Sequence, residues 1–69
     1  MTLDEQASFD KACELNNLAG VLLKHNLKFE ASRYLNAAAV YAVSKEAKAE
    51  LLWRAALLRW ELKIPIVVH

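Results

Sequence analysis

The 69-residue sequence predicts an all-α domain of three helices that assembles into a homo-oligomer. Three observations predict it. Apolar residues recur at three- and four-residue spacings along most of the chain, the signature of helices with a buried side. There is one glycine and one proline, and neither lies between Leu27 and Ile64. The stretch from Ala47 to Ile64, which holds both tryptophans, carries two apolar stripes where a surface helix of a monomer needs one.

The first helix is predicted from Leu3 to Lys24. Thr2-Leu3-Asp4-Glu5 has the spacing of a capping box, in which hydroxyl and carboxylate each satisfy a free backbone amide. Ala12, Leu15, Ala19, Leu22 and Leu23 form its apolar stripe, with Leu18 beside it. Gly20 lies mid-helix, where it costs about 1 kcal/mol against alanine; close approach of a backbone or a large ring would account for it. His25-Asn26 is the clearest break, with Asn26 suited to capping the next helix or to a left-handed turn.

The second helix is predicted from residues 27 to 43. Ala31, Leu35, Ala38 and Ala42 form its inner stripe, flanked by Tyr34 and Tyr41, and alanines at this spacing let two helices come close. Phe29, Val40 and Val43 form a weaker second stripe. Ser44 is placed to cap a third helix over 45 to 63. With no glycine or proline at the joint, one continuous helix through Ser44 is the alternative.

At roughly 100° per residue, Ala47, Leu51, Ala55, Leu58 and Leu62 share one side of helix 3. Ala49, Trp53, Ala56, Leu57, Trp60 and Ile64 take nearly the opposite side. Glu50 and Arg54 stand at the i, i+4 spacing of a supporting ion pair. Pro65 ends the helix. Ile66-Val67-Val68-His69 is a short tail, suited either to docking in an apolar groove or to remaining a loose end.

Length and composition explain why a second apolar stripe points to a partner. A domain this small buries only about 60% of the surface its unfolded chain exposes, and small scaffolds need a staple. Cys13 is the only cysteine, so no intrachain disulfide forms, and Cys13 with His25 and His69 is a poor metal set. Oligomerisation remains. The 57% hydrophobic content, against about 45–50% in ordinary domains, agrees. No cofactor is expected.

The net charge of +1 argues against a strong polyelectrolyte partner. In the first 23 residues Asp4, Glu5, Asp10 and Glu14 stand against Lys11 alone, while the remainder carries four acids against eight bases. That asymmetry suits head-to-tail or antiparallel docking between chains. An acidic start without an apolar core segment does not resemble a signal peptide. No uncharged run approaches the ~20 residues of a membrane span. A cytoplasmic protein is expected.

Candidate sites are few. Trp53, Leu57, Trp60 and Ile64 form the partner-binding candidate, since tryptophan is enriched at interface hot spots. Lys45, Lys48, Arg59 and Lys63 form a basic strip for nucleic acid, though without the interleaved aromatics of a single-strand binder. Cys13 reads as a small core residue. Asp10 and Glu14 read as a solvated face, and His25 as a helix-terminal residue near the C-terminal dipole. No nucleophile is paired with a base, so an enzyme is not expected. The preferred function is a non-enzymatic interaction or regulatory module. The alternative is a small DNA-binding regulator using the basic strip.

Two resemblances bear on this. Asn17-Leu18-Ala19, Phe29-Glu30-Ala31 and Tyr34 to Ala38 resemble a tetratricopeptide helical hairpin, with Ala19, Ala31 and Ala38 at its small-residue positions. Asn26 stands where that family has glycine, the aromatic-acid run is one residue short, and no closing proline follows. The resemblance covers about half the chain and implies a peptide- or protein-binding scaffold. DKACELNNLAG and AKAELLWRAALLRW resemble the small early proteins encoded between the exonuclease and excisionase genes of lambda-like phages. That resemblance implies a host-cytoplasmic protein affecting host growth or the lysis–lysogeny choice through host or phage protein partners.

Overall fold

A computed structural model describes residues 2–62. It contains three helices: α1 (Leu3–Lys24), α2 (Lys28–Tyr41) and α3 (Lys45–Glu61). The all-α, three-helix expectation is met, and the joint at Ser44 separates α2 from α3. Among the described residues there are no strands.

Local chemistry sets each boundary. At the start of α1 the Thr2 hydroxyl accepts from the Glu5 amide at 3.1 Å, and the Thr2 amide donates to Glu5 Oε1 at 3.2 Å. Both arms of the capping box are formed. At the end of α1, Asn26 takes a φ of 59°. The left-handed residue lets the Leu27 amide reach the Leu22 carbonyl and the Asn26 amide reach that of Leu23. This is the paired closure of a Schellman turn, with asparagine in the usual glycine place.

α2 begins at Lys28 and ends at Tyr41, inside the predicted 27 to 43. Its C-terminus stops early because Ala42 turns extended, with ψ 131°. Val43 follows as a bend, and the Ser44 hydroxyl accepts from the Ala47 amide at 3.1 Å to start α3. Helix 3 ends at Glu61, with Leu62 as its cap. The predicted continuation to residue 63, Pro65 as the terminator, and the 66–69 tail lie outside the described residues.

α2 is the central element. α1 and α3 each pack against it, and among the described residues the backbones of α1 and α3 do not approach within 8 Å of each other. The core is Leu15 and Ala19 from α1, Ala31, Leu35, Ala38 and Ala39 from α2, and Leu51 and Ala55 from α3. Leu22, Leu23, Ala42 and Leu58 pack around it. Alanines dominate, so the helices sit close and the gain comes from near approach more than from bulky side chains. Ala47 and Leu62, at the two ends of the inner stripe of α3, are exposed.

A polar link ties α3 to α2. The Ser32 side chain is fully buried; its hydroxyl donates to the Phe29 carbonyl at 2.7 Å and accepts from Arg59 Nε at 3.4 Å. Lys28 and Glu61 form a 3.3 Å ion pair nearby. Both groups are well exposed, so its contribution is small. The expected Glu50–Arg54 pair is replaced by a longer-range contact. Arg54 instead donates to Asn16 Oδ1 at 3.1 Å, bridging α3 to α1.

The expectation for Gly20 is overturned. A Cβ built there meets nothing within 4 Å, so neither a backbone nor a ring approaches it. The glycine therefore lowers helix stability without a packing return among the described residues. Gly20→Ala is expected to stabilise the domain by about 0.5–1 kcal/mol. A rise in the urea midpoint at unchanged slope would show it; a fall would mean the space at residue 20 is needed.

Candidate functional site

All six aromatic side chains lie on the surface. Phe9, Phe29, Tyr34 and Tyr41 are 39–47% exposed, Trp53 is 65% and Trp60 is 74% exposed. Aromatic rings usually dominate cores and interfaces. Here the core does without them and is built from five alanines and three leucines.

The two tryptophans share the outer face of α3. Leu51 and Ala55 face α2 and are buried, with Leu58 packed beside them. Helical geometry then turns Trp53, Leu57 and Trp60 to the far side, where all three are exposed. Ala49 and Glu46 are exposed on the same side, and Ala56 is half-buried. The face is rigidly backed: α3 is held by its buried stripe, by Arg59 on Ser32 and by Arg54 on Asn16. Ile64, the fourth member of the partner-binding candidate, lies outside the described residues.

The basic strip is less coherent than the sequence suggests. Lys45 and Lys48 are exposed. Arg59 is half-buried, with its Nε directed at Ser32. Residue spacing placed it among the lysines, but a long guanidinium stem beside α2 finds the Ser32 hydroxyl instead. Lys63 lies outside the described residues.

α1 and α3 enclose an open groove of about 370 Å³, floored by Ala12 and Leu51 and rimmed by Phe9, Cys13, Glu50 and Arg54. Cys13 is exposed there, which corrects its reading as a core residue. It follows Ala12 by about 100° of rotation. That step carries it from the buried side of α1, where Ala12 lies, to the exposed rim of the groove. Nothing in its spacing marks this, because the gap between α1 and α3 is a tertiary feature.

Asp10 accepts from Gln6 Nε2 at 3.0 Å within its own helix, and Glu14 and His25 are exposed. Neither these carboxylates nor the histidine line the groove. No group of three histidine, cysteine or carboxylate side chains placed to hold a metal occurs among the described residues. No helix of the described residues is long and apolar enough to cross a membrane. No protein-family model, curated protein or solved structure matches the chain.

Proposed function

We propose that this chain is a non-enzymatic protein–protein interaction or regulatory module and that the outer face of α3 is its contact surface. The observation that carries the reading is the placement of Trp53 and Trp60, 65% and 74% exposed, on the side of α3 opposite its buried stripe. Two indoles in water on one rigid helix are costly to leave exposed. Each recovers free energy on burial at about 25 cal/mol per Å² of apolar surface. Leu57 widens the same face, giving a compact apolar patch of the kind that marks interaction sites. The alternative, a DNA-binding regulator, is weakened because Arg59 is engaged with Ser32, leaving Lys45 and Lys48 as the described members of the strip. Duplex binding through phosphates would reveal itself as a steep loss of affinity with salt in a gel shift.

The test is the double variant Trp53→Gln/Trp60→Gln. Its helical circular dichroism and urea midpoint are expected to stay near those of the parent, within about 1 kcal/mol, as for surface positions. Its association, read by sedimentation equilibrium, is expected to be lost. Unfolding of the double variant from a monomeric parent would show that the rings serve only the fold, and the reading would fail.

A further inference from the structure

We infer that the joint between α2 and α3 is a two-state hinge. In its open state residues 28–61 form one continuous helix. Two such helices pair antiparallel, so that the tryptophan face of each covers the α2 surface that the other chain's α3 has left. This rests on the reading of the α3 face as a contact surface, and it adds the partner and the change of shape that admits it.

The face of α2 that holds α3 runs through Lys28, Ser32, Leu35, Ala39 and Ala42. Lys28 and Ser32 bond there to Glu61 and Arg59, Leu35 and Ala39 belong to the core, and Ala42 lines the groove beside Leu51. α1 takes a different side of α2, where Leu15 lies by Tyr34 and Ala37. The five α2 positions follow one another at intervals of four, three, four and three. The outer face of α3 runs through Glu46, Ala49, Trp53, Ala56 and Trp60, at intervals of three, four, three and four. From Ala42 to Glu46 the step is four. Heptad spacing therefore crosses the joint without a break, from Lys28 to Trp60. Once the joint is straight, both faces lie on one side of a single helix. Leu51 and Ala55, about 200° of rotation from Trp53, turn to the other side.

The joint is built to straighten. It holds neither glycine nor proline. Ala42 already has a helical φ of −63° and departs from the helix in ψ, at 131°. Val43, Ser44 and Lys45 are exposed, and the bend is held by the Ser44 hydroxyl on the Ala47 amide. Opening replaces that cap with backbone bonds between helix ends now left to water. α3 is tied to α1 by Arg54 on Asn16 and packs otherwise on α2.

An open chain needs a second copy. Its helix is about 50 Å long, so α3 cannot return to its own α2, and Leu35 and Ala39 lose their cover. The face in phase with them is the tryptophan face. Antiparallel pairing about a two-fold at residue 44 sets Trp53 against Leu35 of the second copy, and Trp60 against Lys28 of the second copy, where an ammonium suits an indole face. Lys28 thus exchanges residue 61 of its own chain for residue 60 of the second copy, almost the register of the closed form. A parallel pair would set Lys28 against Lys28 and leave both α2 surfaces without a tryptophan. The exchange uncovers Leu51 and Ala55 and covers two indoles, the larger apolar area. Closed is the dilute form and open the associated one.

The test is Lys45→Pro. Residue 45 is the first of α3 and follows an extended Ser44, with ψ 151°, so the closed joint accepts proline. In a continuous helix the same ring clashes with the Tyr41 carbonyl. The variant is expected to keep the urea midpoint of the dilute parent. Its dimer, read by sedimentation equilibrium, is expected to be weaker by about a hundredfold or more. Lys45→Ala is expected to keep the affinity within about threefold. Shape gives a second readout. Spin labels at Lys28→Cys and Glu61→Cys are placed in the full chain with Cys13→Ala, diluted in unlabelled chain so that distances within one chain are read. A short distance is expected in dilute samples, since Lys28 and Glu61 meet at 3.3 Å when closed, and about 50 Å in associated ones. A dimer that tolerates Lys45→Pro, or keeps the labels close, overturns the open state; loss of that dimer in Trp53→Gln/Trp60→Gln would still leave the α3 face as a contact surface. A parent that stays monomeric to about 100 μM overturns the second copy as partner.

Discussion

Leu35→Ala is expected to unfold the domain, or to leave it without a cooperative urea transition at room temperature. Leu35 is the largest fully buried side chain of the described residues, at 0% exposed, and it sits on the helix that both others pack against. Its neighbours in the core are mostly alanines, which have no spare side chain to swing into a void. The substitution removes three buried carbons and leaves a cavity, so its cost falls at about 2.7–5 kcal/mol, with the upper part of the range favoured by sites that cannot collapse. A single core in so short a chain supplies only about 3–5 kcal/mol in total. Far-ultraviolet circular dichroism against urea reads the outcome directly. A cooperative transition displaced by less than about 1 kcal/mol would mean that the core is not centred on Leu35.

Ala19→Leu is expected to destabilise the domain by about 1–3 kcal/mol although it adds apolar surface. Ala19, Ala31 and Ala38 are each 0% exposed and lie where α1 meets α2. Their methyl groups set how near the two helix axes come. An isobutyl group at residue 19 has to push the helices apart or adopt a strained rotamer, and separating them also loosens contacts around Leu15 and Leu35. Ala7→Leu on the exposed side of the same helix is the matched control, with an expected change within about 0.5 kcal/mol. If both variants are equally stable, close approach does not hold α1 to α2. If Ala19→Leu alone is stabilised, a void adjoins residue 19.

The contrast between these two substitutions and the tryptophan pair shows how the domain divides its apolar residues. Alanines with Leu15, Leu35 and Leu51 are inside, and all six aromatic rings are outside, although rings are ordinarily well buried. The inner residues hold three helices together. The outer ones are surplus to that task and form the face proposed above as a contact surface.

Much of this was legible in the residues themselves. Thr2 and Glu5 fix where α1 begins, and Asn26 fixes where it ends, because capping is a matter of atoms within a few positions of each other. The two stripes of α3 are likewise local, since helical rotation alone separates Leu51 and Ala55 from Trp53 and Trp60. Which stripe faces inward was decided by α2, against which Leu51 and Ala55 are buried while both indoles stay exposed. The same holds for the other departures. Arg54 takes Asn16 in place of Glu50, Arg59 leaves the lysine strip for Ser32, Cys13 faces a groove, and Gly20 faces open space. Each depends on where a different helix lies, and spacing along one helix carries no record of that distance. Sequence thus determined the helices, their caps and their apolar faces through short-range contacts. Only the packing of α1 and α3 on α2 decided which of those faces meet protein and which meet water.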